Sequence, residues 1–114
     1  MAAALDGLAV DVGGELVTLT AYPQLPETIQ PWTAWPVWAG AHWISACVAD
    51  ESWRVLLVLP ASGSEAQADA LDAALWPVRD ALVKLGAVTR ADPIALAAGD
   101  QAQTLPAIAY QLET

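Results

Sequence analysis

Five stretches of the chain have the apolar patterns of β-strands. The strongest is WRVLLVLP at 53–60, where five consecutive apolar residues, Val55–Leu59, precede Pro60. In TLPAIAYQLET at 104–114, Ile108, Tyr110 and Leu112 alternate with small or polar residues, which predicts that they share one strand face. The remaining predicted strands are ELVTLTAY at 15–22, HWISACVA at 42–49, and AVTRADPIAL at 87–96, which Pro93 interrupts. We expect turns at 50–52 and at Gly99-Asp100.

One long amphipathic helix is predicted over residues 62–85. Ser62 or Ser64 can cap its start, carboxylates follow near its positive N-terminal end, and Gly86 suits its C-terminal end. Its apolar residues recur at spacings of four and three and predict one buried stripe: Leu71, Leu75, Val78, Leu82 and Leu85. Pro77 lies inside this run, so we expect either a bent helix or two helices that meet near Trp76.

These elements predict a single α+β domain over residues 1–114, with a mostly antiparallel sheet of about five strands and one main helix packed on one face. A short helix within 2–10, stopped by Gly13-Gly14, precedes the first strand. Residues 23–41 contain four prolines, which exclude a helix or an inner strand there. We therefore expect a proline- and tryptophan-rich loop or extended arm at about 23–41.

The predicted elements leave more apolar surface than one small core requires. Residues 55–59 are apolar on both faces of their strand, which indicates cover on both sides, whereas one helix covers one side. On the main helix, Trp76 and Val83 lie on a flank away from the leucine stripe. We infer an oligomer whose subunits contact one another through such surfaces. The alternative is a compact monomer whose proline-rich loop folds back over the open sheet face.

Tryptophans dominate the segment PWTAWPVWAGAHW at 31–43, which contains no lysine, arginine or carboxylate. Trp32, Trp35 and Trp38 belong to the predicted arm, and Trp43 belongs to the strand that follows it. Because tryptophan is a frequent anchor of protein interfaces, we predict that these three residues, with Trp76 and Val83, contact a neighbouring subunit or partner. Packing of the tryptophans on their own subunit, and a soluble binding module that uses the loop for a sugar or peptide, stay open as alternatives.

The net charge of the chain and its few candidate catalytic residues disfavour several classes of function. The net charge of −9, with thirteen carboxylates and four scattered cations, disfavours sequence-neutral binding to DNA. His42 is the only histidine and Cys47 the only cysteine, which we expect to be a small buried residue. No motif frames either as a catalytic group, so we expect no enzyme activity, catalytic residue, metal site or cofactor. We expect no membrane span or signal peptide, and a protein made in the cytoplasm.

The order of several segments resembles that of small neck proteins of long-tailed phages. WRVLLVLP, a helix with an acidic start that ends in ALVKLG at 81–86, and the final LPAIAYQLET are similar to the tail terminator family, in particular its versions in phages of actinobacteria. AYPQLPETIQPW at 21–32 resembles the proline-containing stretch after the family's first strand. The segment before Gly13-Gly14 is shorter than the family's usual first helix, which keeps a head-closure or adaptor role open.

The resemblance implies a structural virion protein that forms a ring, commonly a hexamer, in the neck. Such a ring caps the tail tube and joins it to the head connector. Its partners would be copies of itself, the tail-tube protein and head-connector or adaptor proteins. Genomic DNA would pass through the acidic ring without specific binding. The expected location is the virion, after assembly in the host cytoplasm.

Overall fold

The computed structural model describes residues 2–60, 64–97 and 104–114. The expected Ser62 cap and the Gly99-Asp100 turn lie outside these residues. The elements in chain order are α1 (Ala2–Leu5), β1 (Ala9–Val12), β2 (Glu15–Thr18), β3 (Thr20–Ala21), β4 (Thr33–Trp43), β5 (Ala49–Val58), α2 (Ser64–Leu82), β6 (Ala87–Ala97) and β7 (Thr104–Glu113).

The strands form a five-stranded sheet with the order β3-β4-β5-β7-β6 and a separate β1-β2 hairpin. With α2 as the main helix, this confirms the α+β class. The expectation of a mostly antiparallel sheet is corrected to a mixed one, because β3 pairs in parallel with β4 while the other three pairs are antiparallel. The parallel pair arises because the chain crosses over between residues 21 and 33 instead of turning directly back.

The core lies between one face of this sheet and α2, with α1 and the β1-β2 hairpin beside it. Val55 of β5 pairs with Tyr110 of β7, and the buried Tyr110 hydroxyl donates to the carbonyls of Ala74 and Leu75 in α2 at 3.3 and 3.2 Å. As predicted, Ile108, Tyr110 and Leu112 share this face. The fully buried positions of α2 are Ala70, Ala74, Val78 and Leu82, while the outer members of the predicted stripe, Leu71, Leu75 and Leu85, are less buried.

The N-terminal segment differs from the prediction. The helix ends at Leu5, and Gly13-Gly14 forms the two-residue turn of a hairpin instead of stopping a helix. Both glycines have positive φ, 61° and 90°, as a turn matched to the twist of a hairpin requires. The Asp11 carboxylate accepts a hydrogen bond from the Gly14 amide at 2.9 Å. The single strand expected at 15–22 is therefore two short strands, β2 and β3, on either side of the buried Leu19.

The central part of the chain also differs from the prediction. Residues 33–41, where the prolines were expected to exclude an inner strand, belong to β4, which lies between β3 and β5 and tolerates Pro36 because β3 pairs with only its first two residues. Residues 44–48 form the turn between β4 and β5, so the strand expected at 42–49 and the turn expected at 50–52 are both wrong. The amides of Ile44 and Ser45 donate to the carbonyl of Val48 and close this turn. Cys47 lies in the turn and is exposed, which corrects its expected burial. The small apolar residues of this turn resemble a strand in sequence, but no layer covers them.

Two prolines and one glycine, Pro36, Pro93 and Gly86, occupy positions that the sheet topology allows or requires. Pro36 lies within β4, beyond the two residues that pair with β3. Its nitrogen points toward the β3 side of β4, as does the Ala34 carbonyl that accepts a hydrogen bond from the Tyr22 amide. Among the described residues, no strand lies beside Pro36 on that side, so the missing N–H costs no sheet hydrogen bond. Pro93 lies in β6, which is an edge strand, so the strand continues through it. At Gly86 a β-carbon would collide with the main-chain carbonyl of Glu113, so the turn from α2 to β6 requires glycine.

Pro77 does not divide α2 into two helices: residues 64–82 form one helical element. A proline in a helix interior removes one intrahelical hydrogen bond and costs about 3 kcal/mol. Val78 and Leu82 follow it and are fully buried, and burial of side chains of this size contributes about 1.5–3 kcal/mol each. Packing on the sheet therefore outweighs the break that the isolated sequence favours.

Candidate interaction surface

A hairpin extends from the body of the molecule beyond its packed core. It comprises the distal parts of β4 and β5 and the turn between them, residues 37–54, and we call it the hairpin arm. Every residue of the arm is exposed or half-buried, whereas Ala34, Trp35, Val55 and Leu57 at its base are buried. Residues 52–54 at its base still pair with β7, and beyond Glu51 the arm is a two-stranded projection that the helices do not cover.

The hairpin arm displays large apolar side chains to solvent. Trp43 and Ile44 at its tip are 67% and 63% exposed. The full set of exposed large apolar residues on the arm is Val37, Trp38, Trp43, Ile44 and Val48. Large exposed apolar side chains concentrated on one hairpin make it a candidate contact surface, since large exposed apolar patches often mark interaction sites.

A bulge in β4 sets which way the tryptophans of the arm point. Trp38 pairs with Trp53 and Trp43 pairs with Ala49, and the register shifts between Trp38 and Gly40. Trp53 and Ala49 lie an even number of residues apart on β5, so Trp38 and Trp43 share the face of the sheet that carries α2. Without the extra residue, Trp43 would point to the opposite face.

The structure separates the three tryptophans that were predicted to act together as an interface. Trp38 is exposed on the arm. Trp32 has a positive φ of 62°, is half-buried and packs against the core. Trp35 is 3% exposed, and its pairing with Leu56 places it on the sheet face opposite α2. The burial of Trp35 and the partial burial of Trp32 favour packing on their own subunit, and of the three only Trp38 is exposed to solvent.

The face opposite α2 has a smaller buried layer of its own. Its members include Thr33, Trp35, Val58, Ala107 and Ala109. Residues 22–30 form a loop that lines one cavity of about 460 Å³ together with Thr33. The proline-rich loop therefore lies against the body over 22–32, and the projecting segment is 37–54 instead of 23–41. Val58 of β5 belongs to this buried layer, so part of the two-sided apolar pattern of β5 is buried within the subunit.

A second candidate surface lies between α2 and the edge strand β6, and we call it the α2–β6 groove. It encloses about 280 Å³ and is lined by residues that include Leu75, Trp76, Arg79, Val88, Thr89 and Ala91. Trp76 is 62% exposed, and the Arg79 guanidinium lies over its ring at 5.8 Å from the centroid. Val83 is exposed two turns further along the same side of the helix. The placement of Trp76 and Val83 thus matches their predicted exposure.

Polar side chains at the base of the arm form a small hydrogen-bonded group on the face opposite α2. The Ser52 hydroxyl donates to Glu113 Oε2 at 2.7 Å, and the Gln111 amide donates to Glu113 Oε1 at 3.2 Å. The hydrogen bond from Ser52, and to a smaller extent that from Gln111, holds the pKa of the Glu113 carboxyl below its ordinary value. Burial raises the pKa of the Tyr110 hydroxyl, so it stays a donor to α2.

The described residues hold little that resembles a reaction centre. His42 and Cys47 both lie on the exposed arm, away from any enclosed cavity. Within residues 2–60, 64–97 and 104–114, no three His, Cys, Asp or Glu side chains converge as metal ligands would. None of the helices in this part of the chain is long and apolar enough to span a membrane.

No protein-family model, curated protein or solved structure matches this chain. The functional interpretation therefore depends on the surfaces themselves.

Trp43, Ile44 and Val48 were not predicted as surface residues, because they fell within a wrongly predicted strand. The signal that could have found the arm is Gly40, since a glycine inside an alternating strand is typical of a bulge.

Proposed function

We propose that this protein is a structural subunit of a phage neck that assembles into a ring, in the role of a tail terminator or, alternatively, of a head-closure or adaptor protein. The observation that supports this proposal best is the hairpin arm, an uncovered two-stranded projection that carries five exposed large apolar side chains. The resemblance to the tail terminator family favours the phage neck as the location of the protein, and the exposed apolar surfaces would allow its subunits to bind one another.

The number and placement of the apolar surfaces favour a ring. The arm belongs to β4 and β5, whereas the α2–β6 groove lies at the β6 edge, on the other side of the strand order. Two different apolar surfaces at separate places on one subunit suit a head-to-tail contact, which generates a closed ring when the rotation closes. In a two-fold dimer the two surfaces would instead meet reciprocally, twice about one axis.

The charge of the chain suits a ring through which DNA passes. Thirteen carboxylates against four cations give a surface that repels phosphate, so a lumen built from it would let DNA move without specific binding. The proposed partners are further copies of the chain, most simply in a hexamer, together with the tail-tube protein and head-connector or adaptor proteins. The proposed location is the virion neck.

Native mass spectrometry and electron microscopy of the purified chain test this function. We expect rings of defined subunit number at micromolar concentration, and loss of rings in the variants Trp43→Ser and Ile44→Ser. Leu16→Ser is the matched control, because Leu16 is a large apolar residue that is 73% exposed on β2, away from the arm. A wild-type chain that remains monomeric both alone and with tail-tube protein would refute the proposal. Co-purification with tail-tube protein favours the terminator role, and co-purification with head-connector protein favours the adaptor role.

A further inference from the structure

We propose that the hairpin arm of one subunit docks into the α2–β6 groove of a second copy of this chain, with Trp43 seated beside Trp76 and Glu51 facing Arg79. This inference rests on the proposed function as an assembling subunit and specifies which surfaces meet. In a ring this contact is head-to-tail, since the arm and the groove belong to different strands of the sheet, β4 and β5 for the arm and β6 for the groove.

The arm presents an alternating aromatic and acidic strip on the face that carries α2. Along this face lie Trp43, then the Ala41–Glu51 pair, then the Trp38–Trp53 pair. The main chain of Glu51 is fixed, because its amide donates to the Thr114 carbonyl at 3.2 Å and its carbonyl accepts from the Thr114 amide at 2.9 Å. The strip therefore carries one carboxylate between two exposed indoles, on a main chain that Thr114 holds in place at Glu51.

The groove has the room and the lining to accept an aromatic side chain. Its volume is about 280 Å³, and a cavity of about 150 Å³ already accommodates a benzene ring. Leu75, Val88 and Ala91 supply apolar walls, and the exposed ring of Trp76 forms one rim. An indole that enters from a neighbour would cover Trp76 and exchange water for apolar contacts on both rings.

Charge complementarity identifies the occupant as a copy of this chain. On the face of the hairpin arm that carries Trp38 and Trp43, Glu51 is the charged residue of β5, because Asp50 and Arg54 alternate onto the opposite face. The described residues that line the groove include Arg79 and Arg90 and no carboxylate, and Asp80 and Asp92 pair with these two cations at its rim. Two of the four cations in a chain of net charge −9 thus line the groove, opposite in sign to Glu51.

Arg79 is free to exchange its present partner for Glu51 of a neighbour. It contacts Asp80 at 3.2 Å, and both side chains are largely exposed. Exposed ion pairs of this kind contribute little to stability, so replacing Asp80 by an incoming carboxylate costs little. Arg90 is less available, because it pairs with Asp92 at 2.7 Å.

A charge-reversal cycle measures this contact. Glu51→Arg and Arg79→Glu should each weaken assembly at least about tenfold, because each places like charges together at the contact. The double variant should recover most of the lost affinity, since it restores opposite charges with their places exchanged. Glu15→Arg is the matched control, because Glu15 is an exposed carboxylate on β2, remote from both surfaces.

Crosslinking locates the contact independently of charge. Cys47 is exposed at the tip of the arm, and Thr89 is an exposed residue that lines the groove. In Thr89→Cys, a short thiol-specific crosslinker should join successive subunits into a ladder on a denaturing gel. No ladder should form in Thr89→Cys combined with Cys47→Ser, or in Glu15→Cys.

The outcomes separate this inference from the proposed function. Rings that show neither the ladder nor any effect of charge reversal would overturn the arm-in-groove contact and leave the ring function intact. A wild-type chain that does not assemble overturns both. Rings together with the ladder and recovery in the double variant support both.

Discussion

Replacement of Trp35 by alanine is expected to destabilise the fold itself, although Trp35 lies in the same tryptophan-rich segment as the residues of the arm. Trp35 is 3% exposed, whereas Trp43, eight positions later in the same strand, is 67% exposed. The pair therefore offers two identical substitutions, one in the body and one on the projection. The comparison distinguishes packing within the subunit from contact with a partner.

The expected magnitudes follow from the buried areas. If a tryptophan contributes about 250 Å² of surface, Trp35 buries about 240 Å² and Trp43 about 80 Å², which at about 25 cal/mol per Å² corresponds to upper bounds of roughly 6 and 2 kcal/mol. Large-to-small changes of buried tryptophan cost about 3–5 kcal/mol. For 114 residues the entropy of unfolding is about 240 cal/mol/K, so Trp35→Ala should lower Tm by roughly 12–20 °C.

Urea unfolding followed by far-ultraviolet circular dichroism is the appropriate assay, because each substitution removes a fluorescent reporter. Both changes are made in an Ile44→Ser background, so that dissociation of an assembly does not contribute to the measured free energy. We expect Trp35→Ala to cost about three times as much as Trp43→Ala. If the two free energies are equal, or if Trp35→Ala is within about 1 kcal/mol of its background, Trp35 is not part of the core and its assignment to the subunit interior is wrong.

Two further predictions concern the hydrogen bonds of β7. Tyr110→Phe keeps the buried ring but removes the donor to two carbonyls of α2, so it should lower the free energy of unfolding by about 0.5–1.5 kcal/mol; an unchanged or raised midpoint in urea would contradict this role. Ser52→Ala removes the hydrogen bond that contributes most to the lowered Glu113 pKa, so that pKa should rise toward its ordinary value in an NMR titration. The lowered pKa means that this carboxyl stabilises the fold above the ordinary glutamate pKa and loses that contribution as pH falls through its folded pKa, so Ser52→Ala should reduce the acid sensitivity of stability. A Glu113 titration curve that does not move would show that Ser52 is not the cause.

The elements with strong and long patterns could be predicted from the sequence. β5, α2, β6 and β7 lie within a few residues of their predicted ranges, because uninterrupted apolar runs and a helical stripe leave few alternatives. The exposed flank of α2 was predictable for the same reason, since the helical period alone separates Trp76 and Val83 from the buried side.

The β4–β5 region could not be predicted because its features depend on tertiary pairing. Pro36 is compatible with β4 only because β3 is two residues long and leaves that position unpaired. Whether Trp38 and Trp43 share a face depends on a bulge at Ala39, and local propensity does not reveal such a register shift. The turn at 44–48 contains neither glycine nor proline, so its sequence resembles a strand.

The position of β7 in the sheet affects the order of events during synthesis. β7 lies between β5 and β6, although the ribosome makes it after both. Until residues 104–114 emerge, β6 lacks its pairing strand, β5 has an open edge, and α2 lacks the tyrosine that it packs against. The arm is synthesised early, but it is joined to a folded body only when this late strand inserts. Nascent chains on one messenger RNA, held close together, would therefore have complete arms but no finished grooves, which would delay the proposed association of subunits until release.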